Sequence, residues 1–167
     1  MGTPLLCPTL SKLGMDRKAY DLLFNEELPG WLYEVKMGAT TIWERWNSVM
    51  PDGRMSDTGM NSLNHYAYGS VVEWIWRYAA GIEPAEPGFR RVKLHPVPDR
   101  RLGRLDAVYN SASGVYEVHW GYDSDKISVN IIIPDGCEAE LTLANGERHA
   151  LIGGRYDFDY KEDRKSS

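Results

Sequence analysis

The stretch Gly81-Ile82-Glu83-Pro84-Ala85-Glu86-Pro87-Gly88 divides the chain into two blocks with different hydrophobic periods. Two prolines and two glycines within these residues stop a helix and suit a connector. After it the period is two. Val92 and Leu94 alternate with Arg91, Lys93 and His95, and Tyr116, Val118 and Trp120 alternate with Glu117 and His119. Ile127, Val129, Ile131 and Ile133 alternate with Ser128 and Asn130, and Leu141 and Leu143 follow the same rule. Turn signals separate the runs: Asn110-Ser-Ala-Ser-Gly114, Asp123-Ser-Asp125, Pro134-Asp-Gly136 and Asn145-Gly146. Residues 89–160 are therefore predicted to form an antiparallel β-sandwich, followed by a charged tail over residues 161–167.

Before the connector the period is helical. Leu5 to Leu13 can form a short helix ending at Gly14, and Asp16 can cap a second through Ala19, Leu22 and Leu23. Pro29 fits the first turn of a third helix through Trp31, Leu32 and Val35, which Gly38 ends. The longest is predicted to start at Asn61 or Ser62 and run to about Ala80. Its apolar positions Leu63, Tyr66, Ala67, Val71, Trp74, Ile75 and Tyr78 form one stripe, which Tyr68, Val72 and Trp76 widen. A helix apolar most of the way round must be buried between layers.

The 167 residues carry 19 Lys plus Arg against 24 Asp plus Glu, a formal net charge of -5. Such a chain has no long-range attraction for phosphate backbones or anionic lipid, so neither nucleic acid nor a membrane is an expected partner. No apolar run approaches the roughly 18 to 20 residues of a membrane span. The opening Met1-Gly-Thr-Pro-Leu-Leu6 lacks a basic flank, which makes the cytoplasm the default location. Cys7 and Cys137 are too few and too distant in sequence for a disulfide framework or a thiolate metal site. The aromatic content is distinctive, because five of the six Trp fall within residues 31–76. Rings at that density among Glu, His, Asn and Arg suit a sugar cleft, although a Trp-rich core is the commoner outcome.

Gly38-Ala-Thr-Thr-Ile-Trp-Glu-Arg-Trp46 holds the strongest candidate for chemistry. Glu44 stands between Trp43 and Trp46, with Arg45 adjacent. A carboxylate walled by indoles is partly desolvated, a setting for general acid or base work, whereas the bland alternative is a surface Glu–Arg pair. The second candidate is Asn61-Ser-Leu-Asn-His-Tyr-Ala-Tyr-Gly69, where Asn64 and His65 are expected to project from the first turn of the long helix. Asp52-Gly-Arg-Met-Ser-Asp57 reads as turn chemistry, and Asp123-Ser-Asp125 as a hairpin turn lacking the Gly and Glu of a calcium loop. His95, His119 and His149 are scattered without a coordinating pattern, so no metal is expected. Neither a phosphate-cradling Gly-rich loop nor a Ser or Cys nucleophile motif is present.

Together, Gly38–Trp46 and Gly59-Met-Asn-Ser-Leu-Asn-His-Tyr-Ala-Tyr-Gly69 resemble the bacterial α-L-rhamnosidases, inverting glycoside hydrolases. Gly2-Thr-Pro-Leu-Leu6, Trp31-Leu-Tyr33, Trp74 to Gly81 and the Pro-rich junction extend the similarity over residues 2–155. The resemblance implies an α+β multidomain fragment: residues 1–80 as the last helices of an (α/α)6 barrel, 81–88 as linker, and 89–160 as the C-terminal β-sandwich. It implies that Glu44 is the general base and that His65 contacts the bound rhamnose, with Trp43, Trp46 and Asn64 beside them as substrate-binding candidates. The substrate would be a rhamnose-containing oligosaccharide or glycoside, with no cofactor. Inversion needs two carboxyl groups about 6.5–9.5 Å apart, and the resemblance places the family's general acid in the earlier half of the barrel. The expected corollaries are an inactive isolated chain and self-association through exposed barrel helices. The contrasting reading is a non-catalytic β-sandwich that binds carbohydrate, for which Trp120 and several Tyr are the available rings.

Overall fold

Helix α1 (Thr3–Lys12) begins with a proline in its first turn, where the missing N–H is harmless, and ends as Met15 N–H returns to the Leu10 carbonyl at 2.8 Å. The computed structural model describes residues 2–57 and 59–161, which fall into two compact units, Met1–Trp74 and Ile75–Ser167. In the first unit α2 (Asp16–Leu23) packs on α1. Asp16 lies in the first turn of α2 rather than capping it: Met15 holds the cap position and no side chain bonds there. The carboxylate of Asp16 lies where it complements the helix dipole. Tyr20 is fully buried and meets Trp74 edge-on at 5.0 Å, while the Trp74 indole donates to Ser11 Oγ at 2.9 Å. Helix α3 (Trp31–Lys36) starts two residues after Pro29, with Gly30 as its N-cap, and Gly38 follows its end as the sequence predicts.

The long fourth helix is the largest departure from the sequence reading. Residues 61–67 are irregular, and helical structure begins with a 3-10 turn at Tyr68–Ser70, followed by α4 (Val71–Trp74) and a π turn at Ile75–Ala79. Leu63 and Tyr66, expected in a buried stripe, are 38% and 87% exposed. The backbone groups that would start this helix are bonded elsewhere. Ser62 and His65 pair with residues 42–44, and Ser62 Oγ accepts the Asn64 N–H at 3.1 Å. Such short side-chain bonds compete with helix formation.

In the second unit six strands form one curled sheet: β1 (Ile82–Pro84), β2 (Arg91–Leu94), β3 (Arg104–Ser111), β4 (Gly114–Asp123), β5 (Lys126–Thr142) and β6 (Arg148–Lys161). Part of the expected connector is therefore structured, since Ile82–Pro84 pairs with β2. Strand β5 organises the sheet. Its first half pairs with β4, its second half with β2, and β6 runs along its other edge. Pro134-Asp-Gly136 does not end a strand as expected; it lies inside β5, where the β5–β6 register shifts between Ile133 and Glu138. Proline has no N–H for the ladder, so a bulge forms and the strand bends.

The two halves of the sheet consequently share one core, which joins Val92, Leu94 and Leu141 to Val118, Trp120, Val129 and Ile131. This is the predicted sandwich, built by curling one sheet. It is not wholly antiparallel, because β2 and β5 run parallel. The chain leaves β2 through residues 95–103 to reach β3, so no hairpin constrains that pair. The three remaining turn signals do form the β3–β4, β4–β5 and β5–β6 turns. Cys7 and Cys137 are free and buried. No helix among the described residues is long and apolar enough to cross a membrane. Of the expected charged tail, Lys161 ends β6 and residues 162–167 lie outside the described residues.

Gly81 has φ +75°, and a Cβ there would sit 2.1 Å from the His95 carbonyl carbon. Gly136 has φ +74° with open space around it. Gly81→Ala is expected to cost more than about 2 kcal/mol through combined strain and overlap, and Gly136→Ala only about 1 kcal/mol. Urea denaturation of both variants checks this; equal losses would contradict the crowding at Gly81.

Candidate functional site

The candidate residues of the first unit are ordered by two irregular segments and one short helix. Helix α3 supplies the fixed end. Tyr33 Oη donates to the Val49 carbonyl at 2.9 Å, and its ring meets Trp43 edge-on at 6.5 Å. Next to it, Glu34 Oε2 accepts the Trp43 backbone N–H at 3.1 Å. Segment 41–49 is thereby held against α3 at two points.

A second set of bonds joins that segment to residues 61–65. The Glu44 N–H donates to the Ser62 carbonyl at 2.9 Å, and the Ser62 N–H donates back to Glu44 Oε2 at 2.9 Å. The His65 N–H donates to the Ile42 carbonyl at 2.8 Å, and the Thr41 hydroxyl bonds the Leu63 carbonyl. Ser48 is fully buried; its carbonyl accepts the Asn61 side-chain amide and the Ser56 N–H, and its Oγ accepts the Arg45 N–H. Two stretches remote in sequence run antiparallel without forming a regular strand pair, because Ser and Glu side chains supply part of the ladder.

Glu44 and His65 therefore lie on paired segments, both half-buried. Glu44 Oε2 is committed to Ser62, while Oε1 carries no bond to a described residue. His65 Nδ1 accepts the Ala67 N–H at 3.2 Å, so in the neutral ring Nε2 carries the hydrogen and is a donor. Asn64 does not project from a helix; it is exposed in a loop whose turn is set by Ser62 Oγ. Trp43 is 4% exposed and packed on Tyr33. Trp46 is half-buried, 5.6 Å edge-on to Trp31 and 4.8 Å from Tyr68. It borders a cavity of about 420 Å³ with Leu28, Pro29, Arg45, Asn47 and Tyr68. Asp52 accepts both the backbone N–H and the guanidinium of Arg54, which hold its carboxyl below its ordinary value in a tight turn.

Two residues of the site escaped the sequence reading. Tyr66, whose spacing predicts a place in the buried stripe, is exposed and stacks on His65 at 4.9 Å. Glu34 is 2% exposed, and its Oε1 has no hydrogen-bond partner among the described residues. Burial pushes the Glu34 carboxyl above its ordinary value, against the opposing pull of the Trp43 N–H. In sequence it looks like any helical glutamate, and only Tyr33 and Trp31 beside it hint at burial. Among the described residues, no group of three His, Cys, Asp or Glu is placed to hold a metal ion. In the second unit Trp120 offers no platform for a ring ligand, being 3% exposed with its indole donating to the Ala79 carbonyl at 2.8 Å.

Comparison with known proteins bears on the family of the chain. Residues 1–79 match the family model of the bacterial alpha-L-rhamnosidase 6 hairpin glycosidase domain, and residues 81–156 that of the bacterial alpha-L-rhamnosidase C-terminal domain. An alpha-L-rhamnosidase of Alteromonas sp. is 39% identical over 141 residues, covering 84% of this chain and 15% of that protein. One of Formosa agariphila is 36% identical over 151 residues, covering 90% and 16%. The chain thus spans about a sixth of the length of these relatives. Among solved structures, the native alpha-L-rhamnosidase of Aspergillus terreus superposes with a TM-score of 0.90 at 35% identity, over 95% of this chain and 19% of that one. The Streptomyces avermitilis alpha-L-rhamnosidase complexed with L-rhamnose gives 0.89 at 32%, over 96% and 17%.

The buried Glu34 carries a pH signature. A carboxyl whose folded-state value is raised lowers stability wherever it must ionise, and stability returns as pH falls through that raised value. Glu34→Gln keeps an acceptor for the Trp43 N–H without the buried charge. The variant is expected to melt above the wild type at pH 7, with the gap closing toward pH 4. Calorimetry across that range decides it, and a Gln variant that melts lower at pH 7 would contradict the assignment.

Proposed function

This chain belongs to the bacterial α-L-rhamnosidase family, corresponding to its C-terminal part, and from that premise we propose that it carries the general-base half of an inverting rhamnosidase site. Its parent activity is hydrolysis of terminal α-L-rhamnosides. One observation carries this reading: the reciprocal pair of bonds between Glu44 and Ser62, which fixes one carboxylate oxygen while the other carries no bond to a described residue. With Oε2 held by Ser62, Oε1 can take a proton from water as that water attacks the anomeric carbon. His65 presents a donor at Nε2 on the neighbouring segment, suited to a sugar hydroxyl, and the Tyr66 ring beside it offers a face to sugar C–H groups.

Inversion requires a second carboxyl, about 6.5–9.5 Å from the first, to protonate the leaving oxygen. We assign that acid to no residue of this chain, and residues 81–88 to the junction between the catalytic part and the β domain. Trp43 and Trp46 flank Glu44 in the chain and anchor its segment on Tyr33 and on Trp31 and Tyr68, and Asn64 lies in the loop that carries His65. The buried position of Trp120 speaks against the β domain as an independent sugar-binding module. Leu5, Leu13, Val35, Met60 and Val72 are exposed apolar side chains that would favour association of isolated copies.

The isolated chain is expected to release no aglycone from an aryl α-L-rhamnoside above background. Within a complete 6-hairpin domain, Glu44→Gln is expected to lower kcat by about 10²–10⁴ with little change in KM. A Gln variant that keeps full turnover would contradict the base assignment.

A further inference from the structure

A buried carboxylate is a costly group, and an unpartnered oxygen on it makes it costlier. Glu34 is 2% exposed, and among the described residues its carboxylate bonds only the backbone N–H of Trp43, the residue immediately before Glu44. From there the bonds continue in one direction. The peptide of Trp43 leads into Glu44, whose N–H and Oε2 both meet Ser62, and the segment carrying Ser62 returns to Ile42 through the His65 N–H. The only other tie of these segments to a helix among the described residues also comes from α3, through Tyr33, which bonds the Val49 carbonyl and packs on the Trp43 ring. Glu34 stands on α3, whose last turn is closed by the Ala39 N–H on the Glu34 carbonyl at 3.0 Å. The same residue therefore ends a helix with its backbone and grips the candidate base's segment with its side chain.

We infer that Glu34 is the positioning residue for Glu44: its carboxylate fixes the Trp43 peptide and thereby the aim of the Glu44 carboxylate at Ser62. This rests on the reading of Glu44 as the base, and it names the group that aims it. The role requires an acceptor at the Glu34 Oε2 position and no charge. Gln preserves that acceptor, Leu removes it, and Asp withdraws it by one methylene.

Amide hydrogen exchange on the full chain, read residue by residue by NMR, tests the inference without any sugar, so its outcome is separate from that of the hydrolysis assay. Glu34→Gln is expected to leave the Trp43 and Ser62 amides within about threefold of wild type. Glu34→Leu and Glu34→Asp are expected to speed exchange at both amides at least tenfold, with the amides of α2 unchanged. Should the Leu variant not fold, the Asp and Gln pair decides alone. Faster exchange at Trp43 with Ser62 unmoved would overturn the inference, as would an equal acceleration throughout the chain or failure of Gln to preserve protection.

Discussion

The reciprocal bonding of Glu44 and Ser62 is the constraint on which the candidate site depends. Two irregular segments approach each other, and neither has regular secondary structure to hold it. Backbone groups in such segments must still be satisfied when they are partly buried. The Glu44 carboxylate does so for Ser62, and the same contact selects one orientation for a side chain that would otherwise sample many. Under the proposed reading, structural satisfaction and the aim of the carboxylate are one interaction. The buried Ser48 supports it from behind by gathering Asn61, Ser56 and Arg45 onto its own polar atoms.

The β unit solves a different problem, that of burying the apolar faces of six strands with few residues. A flat sheet would leave one face of Val118, Val129 and Ile131 uncovered. The bulge around Pro134 to Gly136 curls the long β5–β6 pair, so the same strand contributes Val129 and Ile131 on one side of the bend and Leu141 on the other to a common core. A proline, normally a strand breaker, becomes the device that makes the sandwich from a continuous strand.

Alternation made the strands legible where one face is wholly buried, as with Tyr116, Val118 and Trp120. Strands β3 and β6 escaped that reading, although Tyr156, Phe158 and Tyr160 alternate with Asp157 and Asp159. Most of their inward positions are aromatic or half-buried, with Ala107 and Leu151 the buried aliphatic exceptions, and Gly153-Gly154 interrupts the second. The long helix failed for a physical reason. Leu63, Tyr66 and Ala67 have helical spacing, but the backbone around them is bonded to residues 41–44, and no periodicity records that. The motif residues Glu44 and His65 were legible through family resemblance. Glu34 was not, because its significance lies in burial, which only the tertiary structure reveals.

The central claim is that Glu44, Ser62, His65 and Tyr66 form one side of a rhamnose site. Titrating the isotopically labelled chain with L-rhamnose and following backbone amide shifts tests it most directly. Shifts are expected at Glu44, Ser62, His65 and Tyr66, with the strands of the β unit unmoved. Shifts confined to the β unit, or none at Glu44 and His65 at the highest sugar concentration, would contradict it.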